Sequence, residues 1–380
     1  MRSPMFYKPN ILRRVLTILG ILLGVLVIIG LAVTLAMHYN NKEKNVPVNN
    51  QPTITALSFE LDPGISYKSA VTDTALFFYS SENMKVVNPK GEAVEDISLK
   101  FSHPAVSTKG SVALFFDRGG HKAALFNGIR LSKSLELQEK ILLANANANG
   151  YSVIVTESDL HKCAVRVFAP DGKEKFVWNS GGLTVVAADI ADNNKDITVS
   201  AVNTDEGAVK NHIIMFNIAK EKPFTNDLYD GELISLIRYS GSYLYCIGTA
   251  NTYIYNGYGK CVGTAAYNDR ELQRYALDNE LLLLVFSGSS DTSGVAEIKS
   301  YNHKGETTGS FSAVQNFDFL DVKDGTVVLN NGRTISLLNS RCQEKRQINL
   351  NFDLRNFMFF GNNSRGIGIT AVGAEMIQLN

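Results

Sequence analysis

The sequence predicts an all-β domain, an eight-bladed β-propeller, preceded by one transmembrane helix. Three observations carry this: a long uncharged apolar run near the N-terminus, short apolar segments broken by turn residues beyond it, and one turn that recurs to the last residue.

The chain has 380 residues, with 37 Lys plus Arg against 37 Asp plus Glu. That balance argues against a uniformly basic nucleic-acid binder, so no nucleic-acid partner is expected. The zero net charge is a sum of two unlike parts. Residues 1–52 hold six basic side chains against Glu43 alone (+5), and residues 53–380 hold 31 basic against 36 acidic (−5).

Residues 1–14 read as a cytoplasmic tail carrying Arg2, Lys8, Arg13 and Arg14. From Val15 to Met37 there is no charge, and at 1.5 Å per residue the run spans roughly 34 Å as a helix, enough for a hydrocarbon core of about 30 Å. It exceeds the ~7 to 15 residue apolar core of a signal peptide, and no clean small-x-small cleavage site follows. Residues 15–37 therefore read as an uncleaved membrane anchor. The basic flank stays cytoplasmic, which places the larger C-terminal part outside the cell. Gly20 and Gly24 form a GxxxG, whose small residues let two membrane helices pack closely as a homodimer; the competing reading is that Gly is simply frequent in such helices. Residues 38–52, with two Pro and five Asn, read as a flexible tether of at most ~50 Å.

Beyond Pro52 the segments Ala75–Tyr79, Val112–Phe116, Val153–Thr156, Leu281–Phe286 and Thr326–Leu329 are strand-like in length and composition, and no window sustains a helical period. One turn recurs: an apolar residue, Asn or Ala, a short turn, often Gly and a charge. Clear copies are Val87–Glu92, Phe168–Lys173, Tyr255–Lys260 and Tyr301–Glu306; weaker ones follow Phe126, Phe216 and Leu338. The Asn or Ala stands at 88, 127, 169, 217, 256, 302 and 339, at intervals of 39, 42, 48, 39, 46 and 37, and the chain ends at Asn380, where the next copy falls due. Residues 53–380 thus divide into eight units of 41, the length of a four-stranded blade. The last unit stops one strand short. Thr53–Asp62 alternates and supplies that strand, closing the ring with both chain ends in one sheet.

With these turns and the segment Phe168–Trp178 (FAPDGKEKFVW), the chain resembles the uncharacterised single-pass, membrane-anchored propeller proteins of Gram-positive bacteria, with a blade of quinoprotein or assembly-scaffold type. Quinoprotein blades usually repeat a docking Trp, whereas this chain has only Trp178. No cofactor is expected. The Gly-His and Trp-Asp marks of WD repeats are absent too.

No nucleophile elbow, HExxH, P-loop or dinucleotide fingerprint occurs. Asp192–Asp196 opens like a calcium loop, but Ile197 replaces the sixth-position Gly and Asn203 the twelfth-position Glu. It reads as a solvated turn, and no metal site is expected. Strand assignment puts His121, His161 and His212 in loops between the second and third strands of blades two, three and four, and His103 in the link into blade two. These loops share one face, with Asp117, Glu157, Asp159, Asp205 and Glu206 nearby. Two readings stand: polar residues simply collect in loops, or the face binds a ligand or partner. Blade five is rich in Tyr, and Tyr243, Tyr253 and Tyr258 are candidates for stacking on sugars, against the plainer reading of packing between blades. Cys246 and Cys261 fall on strands two apart, roughly 9.5 Å from each other and beyond disulfide reach.

The function expected is a membrane-anchored extracytoplasmic propeller, a non-catalytic scaffold or sensor binding an envelope protein or cell-wall polymer, with no catalytic residues assigned. The alternative is an enzyme acting on an envelope carbohydrate or peptide in the propeller channel.

Overall fold

The computed structural model describes residues 52–57, 61–62, 64–205, 207–220, 222–279, 281–287, 296–313, 317–370 and 373–379. The expected anchor at 15–37, with Gly20 and Gly24, lies outside them, and among the described residues no helix is long and apolar enough to cross a membrane. Residues 52–380 form one compact unit.

That unit is eight four-stranded antiparallel sheets. Blade one comprises Lys68–Val71, Leu76–Tyr79, Asn83–Val87 and Ala93–Ser98; blade two Pro104–Lys109, Val112–Asp117, Lys122–Asn127 and Arg130–Glu136; blade three Ile141–Ala146, Ser152–Thr156, Cys163–Phe168 and Glu174–Ser180. Blade four comprises Thr184–Ile190, Asp196–Asp205, Ala208–Asn217 and Pro223–Asp230; blade five Ile234–Ser240, Tyr243–Gly248, Asn251–Asn256 and Cys261–Ala266; blade six Leu272–Asp278, Leu281–Phe286, Ala296–Tyr301 and Thr307–Ala313. Blade seven comprises Phe319–Lys323, Thr326–Asn331, Thr334–Leu338 and Glu344–Asn349, and blade eight Asn356–Phe360, Asn362–Ile369 and Ala374–Gln378, completed by Ile54–Ala56 from the N-terminus.

The recurring turn joins the third and fourth strands of every blade from one to seven, as the spacing predicted. Its chemistry is local. In blade one, Gly91 N–H donates to Asn88 O (2.9 Å) and Asn88 N–H to Glu92 O (2.9 Å), while Asn88 Oδ1 accepts from Lys90 and Glu92. This is a tight turn closed by a residue at positive φ, Gly91 at 84°, and flanked by a register shift between Val86 and Val87, a geometry glycine adopts without steric cost. The same bonds recur at Asn256, Asn302 and Asn339, where Cys342 takes the positive φ.

The second strands are buried on both faces, every residue of Val112–Asp117 and Ser152–Thr156 being covered. They read as continuous apolar runs because each blade is sandwiched between two others. The core is correspondingly divided into eight clusters, each joining two neighbouring blades: Val153, Val165 and Val199 join blades three and four, and Leu76, Phe78 and Phe360 join blade one to blade eight. Trp178 packs across such a seam, its ring 5.1 Å from Phe216.

The closing strand is where the sequence placed it but shorter. Ile54, Thr55 and Ala56 pair antiparallel with Ile377, Met376 and Glu375, and Leu57 N–H still donates to Ala374 O (3.2 Å). Ile54 packs into the cluster of blades seven and eight, and Leu57 into that of blades eight and one. One strand thereby reaches both seams of the last blade.

Candidate functional site

Two places gather polar side chains: the face formed by the loops between second and third strands, and the axis of the ring.

On the first, His103 lies in the link into blade two and His121 and His161 in the expected loops of blades two and three. His103 and His161 are exposed, as are Glu157, Asp159 and Leu160, the last 88% exposed. His212 departs from expectation. The polar run from Asn203 to Asn211 reads as a loop, yet pairing continues from Asn203↔Lys210 to Asp205↔Ala208, so His212 sits inside the third strand of blade four, paired with Ala201 and Leu228. Its Nδ1 lies 3.2 Å from Asn226 Oδ1. The run is polar because this long hairpin is exposed near its tip, at Thr204, Ala208 and Val209. Asp205 ends the second strand there, and Glu206 lies outside the described residues. Asp117 is buried and accepts His103 N–H (2.7 Å), fixing the link to the loop.

The tyrosines of blade five are dispersed. Tyr258 is 91% exposed on a turn between third and fourth strands. Tyr243 stacks on His303 of blade six, centroids 4.7 Å apart. Tyr253 packs on Tyr229 and donates to Glu232, a buried carboxylate that also accepts from Ala250 and Asn251 N–H. Cys246 and Cys261 occupy the second and fourth strands, and the four cysteines are free. The Asp192–Asp196 turn spends its oxygens on blade three and on itself: Asp192 O and Asn194 Oδ1 accept from Asn149 and Asn147, and Asp196 from Asn193 and Asn217. Among the described residues no group of three His, Cys, Asp or Glu is placed to hold a metal ion.

The polar residues of the axis were not foreseen. Polar residues interrupt the otherwise apolar first strands at Asn145 (ILLANA), Asp189 (TVVAADI), Arg238 (ISLIRYS) and Asp321 (FLDVK), which was the available signal. Asn145 Nδ2 donates to Ala188 O (2.7 Å), Asp189 accepts Tyr239 N–H (2.7 Å) and Asp321 accepts Phe359 N–H (2.9 Å). Each bond joins one first strand to the next. Arg238 reaches further, from blade five to Asn145 Oδ1 (3.0 Å) in blade three and Ser107 Oγ (3.4 Å) in blade two. Lys109 pairs with Asp192 (3.1 Å) and Lys323 with Asp73 (2.7 Å), again between blades.

Burial raises the pKa of Asp189, against the pull of Arg238 and Lys109. Burial also takes Asp321 to about 6, against hydrogen bonds from Phe359 and Val322. A carboxyl whose folded pKa exceeds its unfolded value of ~3.9 binds its proton more tightly when folded, so its contribution is full below pH ~4 and is lost as pH rises through ~6. Taken alone, Asp321 contributes on the order of 2 to 3 kcal/mol more stability at pH 4 than at pH 7. In Asp321→Asn, the difference between urea midpoints at pH 5 and pH 7 should shrink; an unchanged difference would remove Asp321 from the titration.

Residues 57–379 match the model of a family of unknown function (DUF5711). No curated protein matches the chain. Among solved structures, the C-terminal WD40 domain of Sif2 superposes with a TM-score of 0.60 at 9% identity, covering 87% of this chain and 99% of that one. KlHsv2 with loop 6CD replaced by a Gly-Ser linker gives 0.52 at 8%, covering 72% and 92%. At such identities the likeness is one of fold.

Proposed function

From a chain that belongs to the DUF5711 family of unknown function, we propose a membrane-anchored, extracytoplasmic binding protein, a scaffold or sensor whose propeller presents the face of His103, His121 and His161 to an envelope protein. The observation that carries the binding role is the use made of the buried acids. Asp189 and Asp321, the groups a channel enzyme would recruit for proton transfer, each accept a backbone N–H from the next blade, so they hold the ring together. The loop of Glu157, Asp159, Leu160 and His161 is by contrast exposed on a hairpin whose two strands are buried, the placement that recognition loops have on β scaffolds. A protein partner is favoured over a polymer because Tyr243 is stacked on His303 and Tyr253 is bonded to Glu232, which leaves Tyr258 alone rather than in a stacking platform. What supports the anchored placement is the uncharged run 15–37 and its basic flank.

The test is site-specific photocrosslinking in cells. A crosslinker at Leu160 or His161 should attach one common protein, and a crosslinker at Tyr258, on the opposite face, should not. Equal labelling from both faces, or none from either, would sink the proposal. A chain starting at residue 38 should leave the membrane fraction.

A further inference from the structure

The channel opens, on the face of the turns between first and second strands, into a cavity of about 390 Å³. Its wall is built by blades two to seven and includes Lys109, Arg238 and Lys323 with Asp192 and Asp278. This is the opposite face from the histidine loops, so a ligand held here is independent of any partner bound at those loops.

The three cations are not equally satisfied. Lys323 has a short pair with Asp73. Lys109 Nζ is buried, and although Asp192 Oδ2 lies 3.1 Å away, it makes no well-directed hydrogen bond among the described residues. Asp192 is itself 42% exposed, so its charge is partly screened by water. Arg238 has five N–H donors, yet only its bond to Asn145 is short; Ser107 Oγ and Thr108 O are 3.4 and 3.5 Å away. Its acidic neighbour Asp189 Oδ1 is 3.7 Å distant and accepts no hydrogen bond among the described residues. At that distance the carboxylate gives the guanidinium no hydrogen bond, so part of the fork is left uncoordinated. A buried ammonium without a well-directed hydrogen bond among the described residues and a half-coordinated guanidinium therefore share one cavity wall.

We propose that this channel mouth binds a small organic anion, its carboxylate or phosphate group seated between Lys109 and Arg238. An oxyanion supplies acceptors to both cations and a planar match for the guanidinium fork. Asp278, on the same wall, accepts Gly325 N–H (3.2 Å).

Isothermal titration of residues 52–380 with inorganic phosphate and, separately, malonate, at constant ionic strength set with chloride, tests this. Saturable binding of either probe in the low millimolar range is expected. Phosphate binding the tighter points to a phosphate ester, and malonate the tighter to a carboxylate. Lys109→Met should weaken it about tenfold or more, the loss of roughly 1.4 kcal/mol, and Asp192→Asn, which frees Lys109, should tighten it. No saturable heat with either probe overturns the site. So does binding that Lys109→Met and Asp192→Asn leave unchanged.

Discussion

Gly309→Ala is expected to lower the stability of the propeller by about 1 to 3 kcal/mol or more, the cost of forcing backbone to move in a packed seam. Gly309 is the third residue of the outer strand of blade six, and a Cβ there would stand 2.0 Å from Arg341 O and 2.4 Å from Arg341 C, in the turn of blade seven. Neither side can yield cheaply. Arg341 N–H is held by Asn339 Oδ1 and Cys342 N–H by Asn339 O, while Gly309 is paired in its strand with Ser300. The same position in blade five is Gly263, whose Cβ would meet Lys304 C at 2.5 Å and His303 O at 2.7 Å. In blade four it is Thr225, whose hydroxyl donates to Gly259 O (3.2 Å), and in blade seven Arg346, which donates to Leu379 O (3.2 Å). In blades four to six the outer strand thus receives the turn of the next blade, and in blades five and six the contact is backbone on backbone. Gly257→Ala, with nothing within 4 Å of the added methyl, is the control. Urea midpoints for the two variants that agree would refute the close-packed seam.

Removal of residues 52–57 should cost about 3 kcal/mol or more, through several backbone hydrogen bonds at about 1 kcal/mol net each together with the burial of Ile54 and Leu57. The lost contacts are the pairs of Ile54–Ala56 with Glu375–Ile377 and the flanking bonds Leu57 N–H to Ala374 O and Gln378 N–H to Thr53 O. The truncation also uncovers the edge of Ala374–Gln378, and an unpaired strand edge invites pairing with another chain. The truncated domain should therefore associate as its concentration rises, and a peptide of residues 52–62 should bind it and restore the midpoint. A truncated domain that stays monomeric with the full-length midpoint would show that the ring does not depend on this strand.

The blade count and the turns were legible because their causes are local, and the closure followed from the count. An Asn that caps its own turn and a Gly at positive φ are set within five residues, as at Asn88 and Gly91 or Asn302 and Gly305. Counting such turns needs no knowledge of what packs on what. The loops bearing His103, His121 and His161 followed from that count. His212 did not, because polarity is a poor sign of a loop where a hairpin meets solvent.

The sequence by itself determined the architecture and the uncharged segment ahead of it, since turn chemistry, strand length and hydropathy act between near neighbours in the chain. Only the tertiary structure decided which polar residues meet. Arg238 touches Ser107, 131 positions away in the chain, and Lys323 touches Asp73, 250 away. Neither encounter exists until the ring has closed, because the axis is lined by one strand from each blade and belongs to no single repeat.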